Sequence, residues 1–190
     1  MKYAIILLVL FSNMCFSQEN INPEEAQKLW SEYMTPGEVH ASFSKLVGDW
    51  ETEAKTWMDP SAEPLVSKGT VKVEMVLGGR YMQSKFLGNI MGMPFEGIEI
   101  DAYDNFTKEY KGFWIDNFGT GVINMIGKYD PLKKQLVYKG KMVDPVGKGE
   151  TEIKQVITYV DENTQIIEMF GMMNDKEFRS MEMVMKKVKK

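Results

Sequence analysis

From Gly48 onward, polar and apolar residues alternate with a period of two, and short clusters of turn-forming residues interrupt the alternation at close intervals. Glu51, Glu53 and Lys55 fall on one side of a segment whose other side carries Trp50, Thr52, Ala54 and Thr56. Lys72 and Glu74 oppose Val71, Val73 and Met75, and Lys139 and Lys141 oppose Leu136, Tyr138, Gly140 and Met142. Glu150, Glu152 and Lys154 likewise oppose Thr151, Ile153, Gln155 and Ile157. Successive side chains of a strand point to opposite sides, so one wet and one drier face predicts antiparallel strands around a single interior. The interruptions fall at Asp59-Pro60, Gly78-Gly79, Gly88-Asn89, Asp104-Asn105, Asn117–Gly121, Asp130-Pro131, Asp144-Pro145, Asp161–Asn163 and Asn174-Asp175.

Nine such turns imply about ten strands, joined mostly as hairpins. A meander of that many short strands has edges to hide, and closure alone removes them. The expected fold is therefore all-β: about ten antiparallel strands closed into a barrel, preceded by a short N-terminal helix. A flattened β-sandwich is the alternative. A ten-strand barrel is wider than its own side chains can fill, so it tends to enclose a cavity. The small, polar inward face formed by Thr52, Ala54 and Thr56 suits the wall of such a lumen.

The N-terminus reads as a removable leader. Lys2 precedes a nine-residue apolar run from Tyr3 to Phe11, and Ser12–Ser17 brings small and polar residues before Gln18. That is the layout of a secretory signal peptide cleaved after Ser17. Nine apolar residues are too short for roughly 30 Å of hydrocarbon, which argues against a stable membrane span. Lipidation at Cys15 is the alternative, and Ser-Asn-Met before it fits that processing poorly. Cleavage removes the single cysteine, and with it any disulfide, thiolate nucleophile or thiolate metal site. Losing Lys2 reduces the 23 basic residues by one against 27 acidic, so the net charge of −4 becomes −5. An acidic domain without a concentrated basic stripe is not expected to bind nucleic acid. The basic end at Lys186, Lys187, Lys189 and Lys190 reads as a solvated tail.

Asn22-Pro23-Glu24-Glu25 is a helix start, with Asn as N-cap and Pro in the first turn, and Ala26, Leu29, Trp30 and Tyr33 share one face. A second helical turn is expected over Glu38–Leu46. The chain thus divides into a leader at 1–17, a helical lead-in at 18–45 and one barrel domain at 46–190.

Gly48-Asp49-Trp50 opens the first strand just after that turn. The placement resembles the entrance of lipocalin-type (calycin) barrels, in which the Trp closes the floor under an Arg from the last strand. Arg179 lies in the final predicted strand, so the resemblance implies a Trp50–Arg179 stacking pair, a contact of about 0.5–2 kcal/mol. Longer segments match in order: Pro36-Gly37, His40, Leu46-Val47-Gly48, Leu77-Gly78-Gly79-Arg80, and Met91-Gly92-Met93-Pro94-Phe95-Glu96-Gly97. Tyr103-Asp104, Trp114-Ile115-Asp116, Thr120-Gly121 and Asp144-Pro145 follow. From about Pro36 to Met185 the chain resembles the bacterial domain-of-unknown-function family 1579, grouped with the calycin-like barrels. The resemblance supports the fold and assigns no catalytic or ligand residues.

The residues themselves exclude several chemistries. His40 is the only histidine and precedes the barrel. It reads as a packing or capping residue of its helical turn. Neither a haem axial set nor a zinc site of usual type can be built around it, so no metal or cofactor is expected. No arrangement of nucleophile, base and orienting acid is visible. Glu99, Asp101 and Tyr103 share one strand face, and Trp114 and Asp116 share another. Some of these acids are expected at the barrel mouth in water, because carboxylates are rarely buried unpaired. Among the sixteen methionines, the Met181, Met183 and Met185 stripe reads as a pliable apolar wall.

The expected function is an exported, non-catalytic barrel that binds a small hydrophobic or amphipathic molecule. Met93, Phe95, Tyr103 and Trp114 would supply apolar contact, and Arg80 and Asp116 would fix a polar end. The alternatives are an envelope protein-interaction module, or a lumen enzyme using Asp116 or Asp101 as base with His40 or Tyr103 assisting.

Overall fold

The computed structural model describes residues 22–173 and 176–189. The leader through Ser17, with Cys15, and the Asn174-Asp175 turn lie outside the described residues. The chain divides into two compact units between Thr35 and Pro36. Helix α1 (Pro23–Met34) belongs to the first and starts as its sequence predicts: Asn22 Oδ1 accepts the Glu24 N–H at 3.0 Å, and Pro23 occupies the first turn.

The second unit opens with α2 (Glu38–Ser44) and continues through ten strands. These are β1 (Gly48–Thr56), β2 (Leu65–Val76), β3 (Tyr81–Ile90), β4 (Met93–Asp104) and β5 (Glu109–Asp116). Then come β6 (Ile123–Asp130), β7 (Gln135–Asp144), β8 (Gly149–Asp161), β9 (Thr164–Met173) and β10 (Lys176–Lys187). Each pairs antiparallel with the next in sequence, and β1 also pairs with β10 from Trp50 opposite Lys187 to Thr56 opposite Met181. The sheet closes on itself as an all-β, ten-stranded meander barrel, and no edge is left to template aggregation.

One predicted turn is displaced. Gly88 and Asn89 lie inside β3, opposite Phe95 and Pro94, and the chain reverses instead at Met91-Gly92. Both residues there have positive φ, 55° and 83°, the backbone a tight two-residue hairpin needs.

The two halves of the interior differ. At the end covered by α2, Phe43, Trp50, Val71, Val73, Leu136, Tyr138, Ile157 and Met185 pack into a dry core. Trp50 is fully buried, and its indole N–H donates to the Leu46 carbonyl at 2.9 Å. Toward the opposite end, the inward residues of the same strands line a cavity instead.

The Trp50–Arg179 pair does not form. A bulge in β10 shifts the pairing between Arg179 and Met181, so Met181 stays inward opposite Met169 while Arg179 pairs with Phe170 on the outer face. There Arg179 lies 5.0 Å from the Trp57 ring centroid and pairs with Glu168 at 2.9 Å and Glu182 at 2.5 Å. The cation over Trp50 is Lys187, with Nζ 5.5 Å from the ring centroid and donating to the Lys45 carbonyl at 2.8 Å.

Candidate functional site

The cavity has a volume of about 430 Å³, within the ~300–1,000 Å³ usual for small-molecule sites. One wall is aromatic. Trp114 meets Phe86 edge-on at 5.2 Å and stacks against Phe95 at 6.2 Å, and Phe95 in turn meets Phe118 at 5.3 Å. Another wall is methionine-rich, from Met125, Met142, Met169, Met181 and Met183. Met185, the last of the predicted stripe, sits lower, in the packed core. Thr52, Ala54 and Thr56 line the cavity from β1, as the alternation predicts. The largely exposed Lys68 marks where the cavity reaches the surface.

Local sequence explains why Trp114 stands where it does. A Cβ at Gly97 would come within 2.5 Å of the Trp114 ring, so only glycine admits the indole flat against β4. At the ring's polar edge, Trp114 Nε1 donates to Asp116 Oδ2 at 2.6 Å. Asp116 Oδ1 accepts the backbone N–H groups of Phe118 and Gly119 at 2.8 and 3.1 Å. Asp116 therefore orients Trp114 and organises the loop after β5 with the same carboxylate. Asn117 fastens that loop to β4: its side chain donates to the Pro94 carbonyl and accepts the Glu96 N–H, both at 3.0 Å.

The floor is polar. Glu99 on β4 and Gln155 on β8 both line the cavity and are only 3% and 5% exposed. A side-chain hydrogen bond joins them, yet Glu99 Oε1 and Gln155 Oε1 have no partner. Just beneath, Asp101 is 2% exposed and accepts the Tyr138 hydroxyl at 2.6 Å. The Tyr138 ring fits there because β6 offers Gly127, where a Cβ would approach the ring to 2.5 Å. Burial raises the Glu99 pKa well above the ordinary carboxylate range, with the neighbouring Asp101 adding to the rise. Burial likewise lifts Asp101 to about 6, against the opposing Tyr138 hydrogen bond.

Glu99 and Asp101 therefore correct the expectation of acids in water, which Asp116, near the mouth, meets more closely. Their pairing with Gln155 and Tyr138 joins β4 to strands far along the chain, and no local pattern announces it. What the sequence does show is the shared face of Glu99 and Asp101.

Of the predicted ligand-binding residues, the fold brings Phe95, Trp114 and Asp116 together in the cavity. Met93 is about half exposed at the start of β4, outside the lining. Arg80 and Tyr103 belong to the α2 end. Arg80 follows the β2–β3 turn and donates to the Leu77 carbonyl at 3.3 Å. Tyr103 packs on Tyr110 and His40, at 5.0 and 6.1 Å. His40 caps α2, its Nδ1 accepting the Gly37 N–H at 3.0 Å, and burial lowers its pKa. Among the described residues, no cluster of three or more His, Cys, Asp or Glu side chains is placed to hold a metal, and no helix is long and apolar enough to cross a membrane.

A closed antiparallel meander, packed at one end and hollow at the other, defines a calycin-like barrel with a lined lumen. The chain belongs to the protein family of unknown function DUF1579, which matches it over residues 35–187, spanning α2 and all ten strands. No curated protein matches it. Solved structures similar to it include a redesigned β barrel, at 12% identity and a TM-score of 0.38, covering 77% of this chain and 95% of that one.

Proposed function

We propose that this protein is an exported carrier that takes a small apolar or amphipathic molecule into the open half of its lumen without transforming it. The observation that carries this reading is the cavity of about 430 Å³, walled by aromatic rings and methionines above a small polar floor. Unbranched, polarisable methionine side chains adapt to an irregular guest at little cost in packing. The acid and base candidates that the sequence offers are otherwise engaged. Asp116 holds Trp114 and a loop, Asp101 holds Tyr138, and His40 caps a helix at the opposite end. That distribution favours binding over catalysis. Export follows from the leader and would release a protein beginning at Gln18, which N-terminal sequencing of the mature form checks.

The test of binding is native mass spectrometry of the protein from its own envelope, followed by solvent extraction. An added small-molecule mass, diminished in Trp114→Ala, is expected. The reading fails if the protein carries no such mass and also leaves the apolar probe N-phenylnaphthylamine unbound.

A further inference from the structure

We propose, building on that carrier reading, that the guest is an amphiphilic amine, seated head-down with its ammonium between Glu99 and Gln155. Glu99 Oε1 and Gln155 Oε1 are both acceptors, both in side chains at least nine-tenths buried, and both without a donor. Buried polar atoms without a partner carry the full cost of their desolvation, so a pair at the base of an apolar cavity needs a donor. Among the described residues, no lysine, arginine or histidine reaches the floor. Asp101, Asp116, Tyr138 and Tyr159 are the titratable groups around Glu99, none of them basic. Lys68 is the one cation of the described lining, and its side chain is 80% exposed at the mouth.

Elsewhere in the described structure, carboxylates such as Glu53, Glu96 and Glu168 face a lysine or arginine. A hydroxyl brings a single donor for two acceptors, and a ligand carboxylate brings repulsion from Glu99 and Asp101. An ammonium brings three donors and the missing charge. The aromatic and methionine walls above the floor then cover its alkyl body. Burial raises the Glu99 pKa and an ammonium seated beside it lowers it again, so binding shifts Glu99 toward its ionised form. Any proton the carboxyl holds passes to buffer as the ammonium takes its place.

Isothermal titration of decylamine, decanol and decanoate at pH 7, in buffers of different ionisation enthalpy, tests this on the mature protein. Decylamine should bind about tenfold or more tightly than decanol, decanoate most weakly, and amine binding should release protons. Glu99→Gln, isosteric and checked for folding by circular dichroism, should abolish both the amine preference and the proton release while keeping decanol binding within about twofold. Glu168→Gln, at the Arg179 ion pair of the outer face, should preserve the preference. Equal binding of amine and alcohol, or tighter binding of decanoate, overturns the amine assignment and leaves the carrier reading standing. Retention of the preference in Glu99→Gln, or its loss in Glu168→Gln, overturns the seat. Failure of all three probes to bind overturns both.

Discussion

Glu99 and Asp101 stand two residues apart on the inward face of β4, and each is buried to within a few per cent. Their pKa values are raised in the folded state, Asp101 from 3.8 to about 6 and Glu99 well above 4.5. The native protein therefore binds more protons than the unfolded chain once pH exceeds about 4, and stability drawn from these groups falls as pH rises through their folded pKa values. Glu99→Gln should consequently become more stabilising relative to wild type between pH 5 and pH 8. Urea unfolding at a series of pH values measures this, and a difference that does not vary with pH would count against it. His40 works in the other direction. Burial lowers its pKa, so its contribution is present above about 6.5 and is lost as pH falls below that value.

At the scale of elements, glycines and aspartates do much of the placing. Asp104, Asp130 and Asp144 each accept backbone N–H groups two and three residues ahead, and each turn ends on a lysine with positive φ: Lys108, Lys134 and Lys148. These turns were legible because the Asp that folds each one is local to it. Gly97 acts across strands instead, admitting Trp114 against β4. Gly97→Ala should push the indole from its seat, cost about 1–3 kcal/mol and alter the near-ultraviolet circular dichroism of the aromatic wall. Gly121→Ala is the control, since a Cβ there meets nothing within 4 Å. Equal effects of the two substitutions would refute this role for Gly97.

Across the whole molecule, closure depends on contacts between the two ends of the barrel sequence. Trp50 lies between Val71 of β2 and Lys187 of β10, bonds to Leu46, and receives Lys187 over its ring. Trp50→Ala should cost about 3–5 kcal/mol, the usual range for removing a fully buried large aromatic side chain. Arg179→Ala, on the outer face, should cost about 1 kcal/mol or less, because water screens its ion pairs. Denaturant unfolding of the two variants checks the order, and a larger loss for Arg179→Ala would reverse the account of how the barrel is fastened.

Period-two alternation and turn residues were enough for the sequence by itself to determine about ten antiparallel strands, most of their turns and, in strands such as β1, β2, β7 and β8, which face looks inward. Those properties are set within a few residues of where they are read. Depth along the barrel is different, because it depends on the stagger between strands distant in the chain. Only the tertiary structure decided that Phe95 and Trp114 line a cavity while Tyr103 lies at the α2 end, and that Glu99 meets Gln155. The extra residue at the β10 bulge, which turns Arg179 outward, is also fixed by pairing with β9 rather than by the composition of β10.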